Sequence, residues 1–203
     1  MKYMQKFFIH FLVIASMALV GCGGTGEPVA ELESFSGKVK VKTQASKALS
    51  TPTQKQKIFN GGAVQTDEKA NAALKFVKDS TQIKVSENTY FEIRDFSKKD
   101  LQQLRGVAIY QVSPQNTEMK IQTPHGVATV LGTTFRIDIA ATSTALIVET
   151  GKVGFKNETS QVEVTAGQRF VTGQDKEPVA IDPFELEELF SSGGKTKTYF
   201  NQR

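Results

Sequence analysis

Hydrophobic and polar residues alternate with a period of two along most of the chain after Phe35. That is the spacing at which successive side chains of a β-strand point to opposite faces. In TFRIDI, Phe135, Ile137 and Ile139 share one face while Thr134, Arg136 and Asp138 share the other. YFEIR sets Phe91 and Ile93 against Glu92 and Arg94, QVEV turns Val162 and Val164 inward, and GKVGF does the same with Val153 and Phe155. Turn signals separate these runs at Gly61-Gly62, Asp79-Ser80, Gly106, Ser113-Pro114, Gly126, Gly151, Asn157-Glu158 and Gly167. The pattern amounts to about a dozen short strands at spacings of roughly 8 to 12 residues. It predicts an all-β fold, either sandwich-like or an irregular solenoid-like stack of short antiparallel strands, and not a βαβ architecture. Three Gly-then-strand units, GKVKV at Gly37, GVAIY at Gly106 and GKVGF at Gly151, are unevenly spaced, so a fixed-period solenoid is not supported.

Only DPFELEELF, near the C-terminus, reads as a helix. Asp182 is its predicted N-cap, Pro183 suits the first turn, and Glu185 sits three residues after the cap. Phe184, Leu186, Leu189 and Phe190 then form the set expected to dock on the sheet. The polar stretch TQASKALSTPTQKQK reads as an excursion from the first strand unit, and SSGGKTKTYFNQR as a loose tail.

The N-terminus has a different pattern. MKYMQK carries two lysines and precedes FFIHFLVIASMALV, which is apolar apart from His10 and Ser16 and ends at small residues. A charged segment, a short apolar segment and a small-residue site make a secretory signal, too short for a comfortable membrane span. Leu19, Val20, Gly21 and Cys22 resemble the bacterial lipobox, which implies removal of residues 1–21 and lipid attachment to Cys22, the only cysteine of the chain. Several acyl chains anchor a protein stably, so the chain is expected in the bacterial cell envelope, tethered to a membrane and facing the periplasm or the surface. Gly23 occupies the position where an Asp is associated with inner-membrane retention, which favours the outer membrane. Residues 22–34 lack an apolar pattern and read as a flexible leash with a mean reach of about 20 Å.

Composition narrows the chemistry. A chain of 203 residues most simply holds one main domain. Its formal charge of +4 falls to about +2 once Lys2 and Lys6 leave with the signal, which calls for no nucleic-acid partner. Lys38, Lys40 and Lys42 alternate with Val39 and Val41, as on a strand with one solvated face. His125 is the sole histidine after the signal and is expected to be a solvated turn residue, so neither a metal site nor histidine catalysis is predicted. No G-x-S-x-G elbow is present. SGGK at Ser192 lacks the other elements of penicillin-recognising enzymes, and GKT at Gly194 has Leu189 where a phosphate loop needs its first glycine. The chain is therefore read as a non-enzyme without catalytic residues, cofactor or metal.

One ordered set of motifs remains. Thr123, Pro124 and Gly126 are followed, after five residues, by Gly132, Thr133 and Phe135. This resembles the Thr-Pro-x-Gly and Gly-Thr-x-Phe signature of the FecR-type domain of bacterial envelope signalling. Glu149, Gly151, Val153 and Phe155 are similar to its Glu-Gly-x-Val-x-Val element, and VTAGQ, with Gly167, to its Ala-Gly-Gln close. GGAVQT and AALKFVKDSTQIKV match its opening strands, while Ala63, Ser80 and Leu131 depart from the family pattern. The resemblance runs from Phe35 to Phe170 and implies a β domain at 35–172, followed by a short helix and tail at 173–203.

Family members with the full architecture add a cytoplasmic segment that regulates a sigma factor and a membrane span, and their outer domain meets a transporter's signalling domain. Neither addition is read in this sequence, so direct sigma-factor contact is not expected. The resemblance implies a non-catalytic extracytoplasmic module that binds an envelope protein. The alternative is a structural lipoprotein associated with peptidoglycan or another glycan, for which four tyrosines and no tryptophan supply a poor aromatic platform. Within the signature, Gly126 is expected to let the chain turn after Pro124. Gly132 is expected to supply a bulge or a close backbone approach that redirects the chain.

Overall fold

The computed structural model describes residues 26–45, 47–191 and 200. The signal segment, Cys22 and the SGGK and GKT stretches of the tail lie outside the described residues. The alternating runs become β1 (Ala30–Ser36), β2 (Val39–Lys42), β3 (Lys57–Ile58), β4 (Ala63–Thr66), β5 (Asn71–Phe76), β6 (Gln82–Val85), β7 (Tyr90–Asp95) and β8 (Asp100–Gln111). They continue with β9 (Met119–Thr123), β10 (Gly126–Val130), β11 (Thr134–Ile139), β12 (Thr144–Thr150), β13 (Lys152–Lys156), β14 (Gln161–Thr165), β15 (Gln168–Val171) and β16 (Val179–Ala180), and end in the helix α1 (Pro183–Ser191).

Pairing arranges these strands in two sheets joined through β8. The first runs β3-β1-β5-β6-β8-β11-β12-β15-β16 and the second β2-β4-β7-β8-β9-β10-β13-β14. Residues 100–105 of β8 pair with β7 and β9 in the second sheet, and residues 106–111 pair with β6 and β11 in the first. The change of sheet falls at Gly106, whose φ is +82°. Gly106, expected to be a turn between strands, is instead a bend inside one long strand. The all-β class expected from the sequence is found, its strands forming an open mixed sheet whose two parts share β8.

The alternation sends one side chain in two into the space between the sheets. Leu32, Leu74, Phe76, Ile83, Phe135, Ile137 and Leu146 from the first sheet meet Val64, Phe91, Ile93, Leu101, Ile121, Val153 and Phe155 from the second in a single core. Tyr110 stacks on Phe135 with ring centroids 4.8 Å apart and meets Phe91 edge-on at 6.3 Å. Its hydroxyl donates to Gln103 Oε1 at 2.8 Å, and Gln103 Nε2 donates to the carbonyls of Gly106 and Ile137. The polar groups that the β8 bend would strand in the core thus satisfy one another.

Three further expectations change. The leash expected to run to residue 34 gives way to strand at Ala30, because Ala30 and Leu32 already alternate with Glu31 and Glu33 and are fully buried. The strands are not all antiparallel: β8 and β9 pair in parallel, Leu101 opposite Ile121. β8 ends in the first sheet, so the chain crosses back and re-enters the second beside the first half of β8 in the same direction. Arg136 and Asp138 also lie on no solvated face. Both are fully buried beneath α1, which closes a second core of Ala145, Ile147, Val171, Ile181 and Leu189.

The helix begins where its caps predict. Asp182 Oδ1 accepts from the backbone N–H groups of Phe184 at 2.9 Å and Glu185 at 3.3 Å. Leu189 is buried, and Leu186 and Phe190 pack beside it, but Phe184 is 83% exposed and docks on nothing in the sheet. Replacing Asp182 with Ala is expected to cost about 1 kcal/mol by loss of the cap. Amide exchange should then quicken in α1 while the inter-sheet core keeps its protection; unchanged exchange in α1 would contradict the cap's role.

Candidate functional site

The signature residues occupy the two ends of β10. At its start, Thr123 Oγ1 donates to the carbonyl of Gly126 at 2.8 Å and accepts from His125 N–H, which closes the β9–β10 turn around an exposed Pro124. A Cβ on Gly126 would come within 2.5 Å of the Phe155 ring, so the turn lies directly against β13. His125 is not a solvated turn residue: it is half-buried, with Nδ1 2.9 Å from Thr144 Oγ1.

At the other end of β10 the chain crosses from the second sheet to the first through Leu131, Gly132 and Thr133. Gly132 supplies a close approach, since a Cβ there would lie 2.7 Å from Pro114 Cα. Thr133 exchanges backbone hydrogen bonds with Val112 at 3.0 and 3.1 Å, and its hydroxyl donates to the carbonyl of Lys152 at 2.9 Å. A Cβ on Gly151 would sit 2.9 Å from the Gly132 carbonyl. Gly132, Thr133 and Gly151 are therefore one knot of backbone, whereas Phe135 is core and Gly167 forms the β14–β15 turn, its N–H donating to the carbonyl of Val148.

Beside this knot a groove of about 980 Å³ opens over the outer face of β10, β13 and β14. Its lining includes Gly132, Thr133 and Gly151 from the signature, together with the 114–118 segment and Leu131. Leu131 is 47% exposed. Across the floor, register places Thr129, Gly154 and Glu163 in one row. Gly154 leaves that row flat, although nothing among the described residues requires it: a Cβ there would find only the Thr129 carbonyl, at 3.8 Å. A strand glycine without an internal reason is a place for another molecule to approach. Gln115 closes one wall, both polar atoms of its side chain buried without a hydrogen-bond partner.

Charge in the groove is balanced, Lys152 and Lys156 against Glu118 and Glu163, with Lys152 3.0 Å from Glu163. Further along the same outer face the polar groups satisfy one another. Lys42 pairs with Glu92 at 3.1 Å and Tyr90 donates to Glu92 at 2.9 Å; burial and this carboxylate push the Tyr90 hydroxyl up to about 12. Arg94 donates to Gln122, which donates to Asp100. Among the described residues no three His, Cys, Asp or Glu side chains gather to hold a metal ion. What the groove offers is shape, a flat floor and balanced charge, the equipment of a binding surface. Sequence reading marked the corner but missed Gly154 and Gln115; an outward-facing glycine within GKVGF was the one available signal.

A family model described as FecR protein matches residues 62–154, from the start of the Ala63–Thr66 strand to the groove floor. Two crystal structures of a candidate anti-sigma factor from Parabacteroides distasonis ATCC 8503 share the fold, each at 16% identity. The structure at 1.65 Å resolution superposes with a TM-score of 0.51, covering 59% of this chain and 59% of that one. The structure at 2.50 Å gives 0.55 over 63% of each. The chain thus spans roughly three fifths of the length of these structures. A search of curated protein sequences finds no match. Among the described residues no helix is long and apolar enough to cross a membrane. The Thr123-to-Phe135 signature and Gly151 fall inside the stretch, residues 62–154, over which the chain is similar to FecR protein.

Proposed function

We propose that the chain is a membrane-anchored extracytoplasmic module that binds an envelope protein in sensing or signalling, with the lipid carried on Cys22. The observation that carries this reading is the open groove beside the family corner, with a flat floor at Gly154 and an exposed Leu131 at its edge. The FecR-type domain and the likeness to a candidate anti-sigma factor support a place in envelope signalling. A polysaccharide-binding role draws no support from the groove, whose one aromatic lining residue, Phe155, is buried.

Two measurements on cells test the reading. Metabolic labelling with a radioactive fatty acid is expected to mark the wild-type chain and to leave Cys22→Ser unlabelled; equal labelling of both would remove the anchor. A photoreactive side chain placed at Lys156, on the groove, should give a discrete adduct with one envelope protein, and the same probe at Lys40 should give none. Identical background from both positions would sink the protein-binding reading.

A further inference from the structure

We infer that the partner engages β14 by adding an extended strand to it, with a lysine or arginine opposite Glu163. This deepens the protein-binding reading and rests on it.

A sheet edge presents unpaired N–H and C=O groups that template pairing, and proteins guard such edges with short strands, lysines or covering segments. Three of the four edges are guarded in this way. The first sheet ends in β3 and β16, each of two residues. At the β2 end of the second sheet, Val41 and Ser50 exchange backbone hydrogen bonds at 2.8 and 2.9 Å, so a returning segment covers the strand that also carries Lys40 and Lys42. β14 has five residues, and among the described residues no covering segment pairs to it.

Register defines what β14 offers. Asn157 N–H donates to Ser160 O, and Ala166 N–H to Gly151 O, which fixes the hydrogen-bonded pairs at both ends of the β13–β14 ladder. Counting inward, the N–H and C=O groups of Gln161, Glu163 and Thr165 point away from β13. The Thr165 N–H is already taken by Gln168 Oε1 at 3.0 Å, which confirms the direction and leaves Gln161 and Glu163 for a partner.

Side chains specify the occupant. On the outer face Glu163 ends the Thr129–Gly154 row at the rim, and its ion pair to Lys152 is largely exposed on both sides. A cation on the added strand opposite Glu163 is favoured there, and Gly154 leaves room for its long side chain. On the inner face Val162 is only half-buried, so apolar residues flanking the cation complete its burial. A second copy of this chain fits poorly, because antiparallel pairing of two β14 strands about this point sets Glu163 against Glu163.

The test uses the full chain in detergent micelles and a blocked peptide, Ser-Thr-Val-Lys-Val-Thr-Ser, with a twin that carries Glu at its centre. The lysine peptide is expected to bind about fivefold more tightly than its twin, and Glu163→Lys to reverse the preference. Amide exchange at Gln161 and Glu163 should slow in the complex. Equal affinity for both peptides, no binding, or protection confined to other strands would overturn the inference. So would a dimer of the chain with Gln161 protected in the absence of peptide. A discrete adduct from the Lys156 probe combined with any of these results would keep the protein-binding reading and remove only the edge.

Discussion

Gly106→Val is expected to destabilise the protein by about 3–6 kcal/mol, from strain at a left-handed backbone position and from overpacking. That is a large share of the total stability of about 5–15 kcal/mol typical of a domain. The residue has φ +82° in the middle of β8. A Cβ there would run into Thr89 Oγ1 and come within 2.5 Å of Thr89 Cα. The Thr89 hydroxyl is no spectator: it accepts from Val107 N–H at 2.9 Å, and its single proton is shared between the Glu87 and Val107 carbonyls at 3.0 and 3.1 Å. Pushing it aside would break the bonds that hold the bend.

Strain and collision separate through a second glycine. Gly167 has φ +76°, but nothing lies within 4 Å of the Cβ that could be built on it. Gly167→Ala should therefore cost only the conformational term, about 1–2 kcal/mol. Gly106→Ala should cost clearly more, and guanidinium unfolding of the two variants reads the difference as a shift in midpoint. Equal losses would mean that Thr89 yields freely and that the bend is not what joins the sheets. Both sheets share β8, so the Gly106 variants should lose protection in the two together.

These glycines show what the sequence makes legible and what it hides. Alternation names the inward residues because strand geometry is local: Phe135 with Ile137, Phe91 with Ile93, and Val153 with Phe155 are all buried as read. The helix start at Asp182 is legible for the same reason, since a cap acts within three residues. Gly106 reads as a turn because a glycine between apolar runs looks alike whether the chain reverses or changes sheet. The difference is decided by Thr89, seventeen positions earlier. The groove is hidden on the same grounds. Gly154 becomes informative only when its neighbours Thr129 and Glu163 are known to leave it space, and Gln115 only when its amide is seen to lack a partner. The motif itself was legible as a corner, although Gly132, Thr133 and Gly151 also line the groove.

Arg136 is the clearest case of a residue whose local pattern misleads, and replacing it with methionine is expected to cost about 3–5 kcal/mol. Its guanidinium binds both oxygens of Asp138, at 2.6 and 2.8 Å, and donates through Nη1 to the carbonyl of Leu189 at 2.7 Å. That carbonyl belongs to the last turn of α1, where four C=O groups have no partner within the helix, so Arg136 caps the helix from within the sheet. In the methionine variant the Asp138 carboxylate stays buried without its guanidinium, and the helix end loses its acceptor's donor together. Proteolysis and amide exchange should report α1 released first, because the pair joins it to β11 while the inter-sheet core does not touch it. The double variant Arg136→Met with Asp138→Leu removes both charges and should recover much of the loss in denaturant midpoint, since apolar side chains of similar size often replace a buried ion pair without penalty. Failure of the double variant to recover stability would show that the carbonyl of Leu189, rather than the carboxylate, is what Arg136 is there to satisfy; an undiminished midpoint in the single variant would refute the latch altogether.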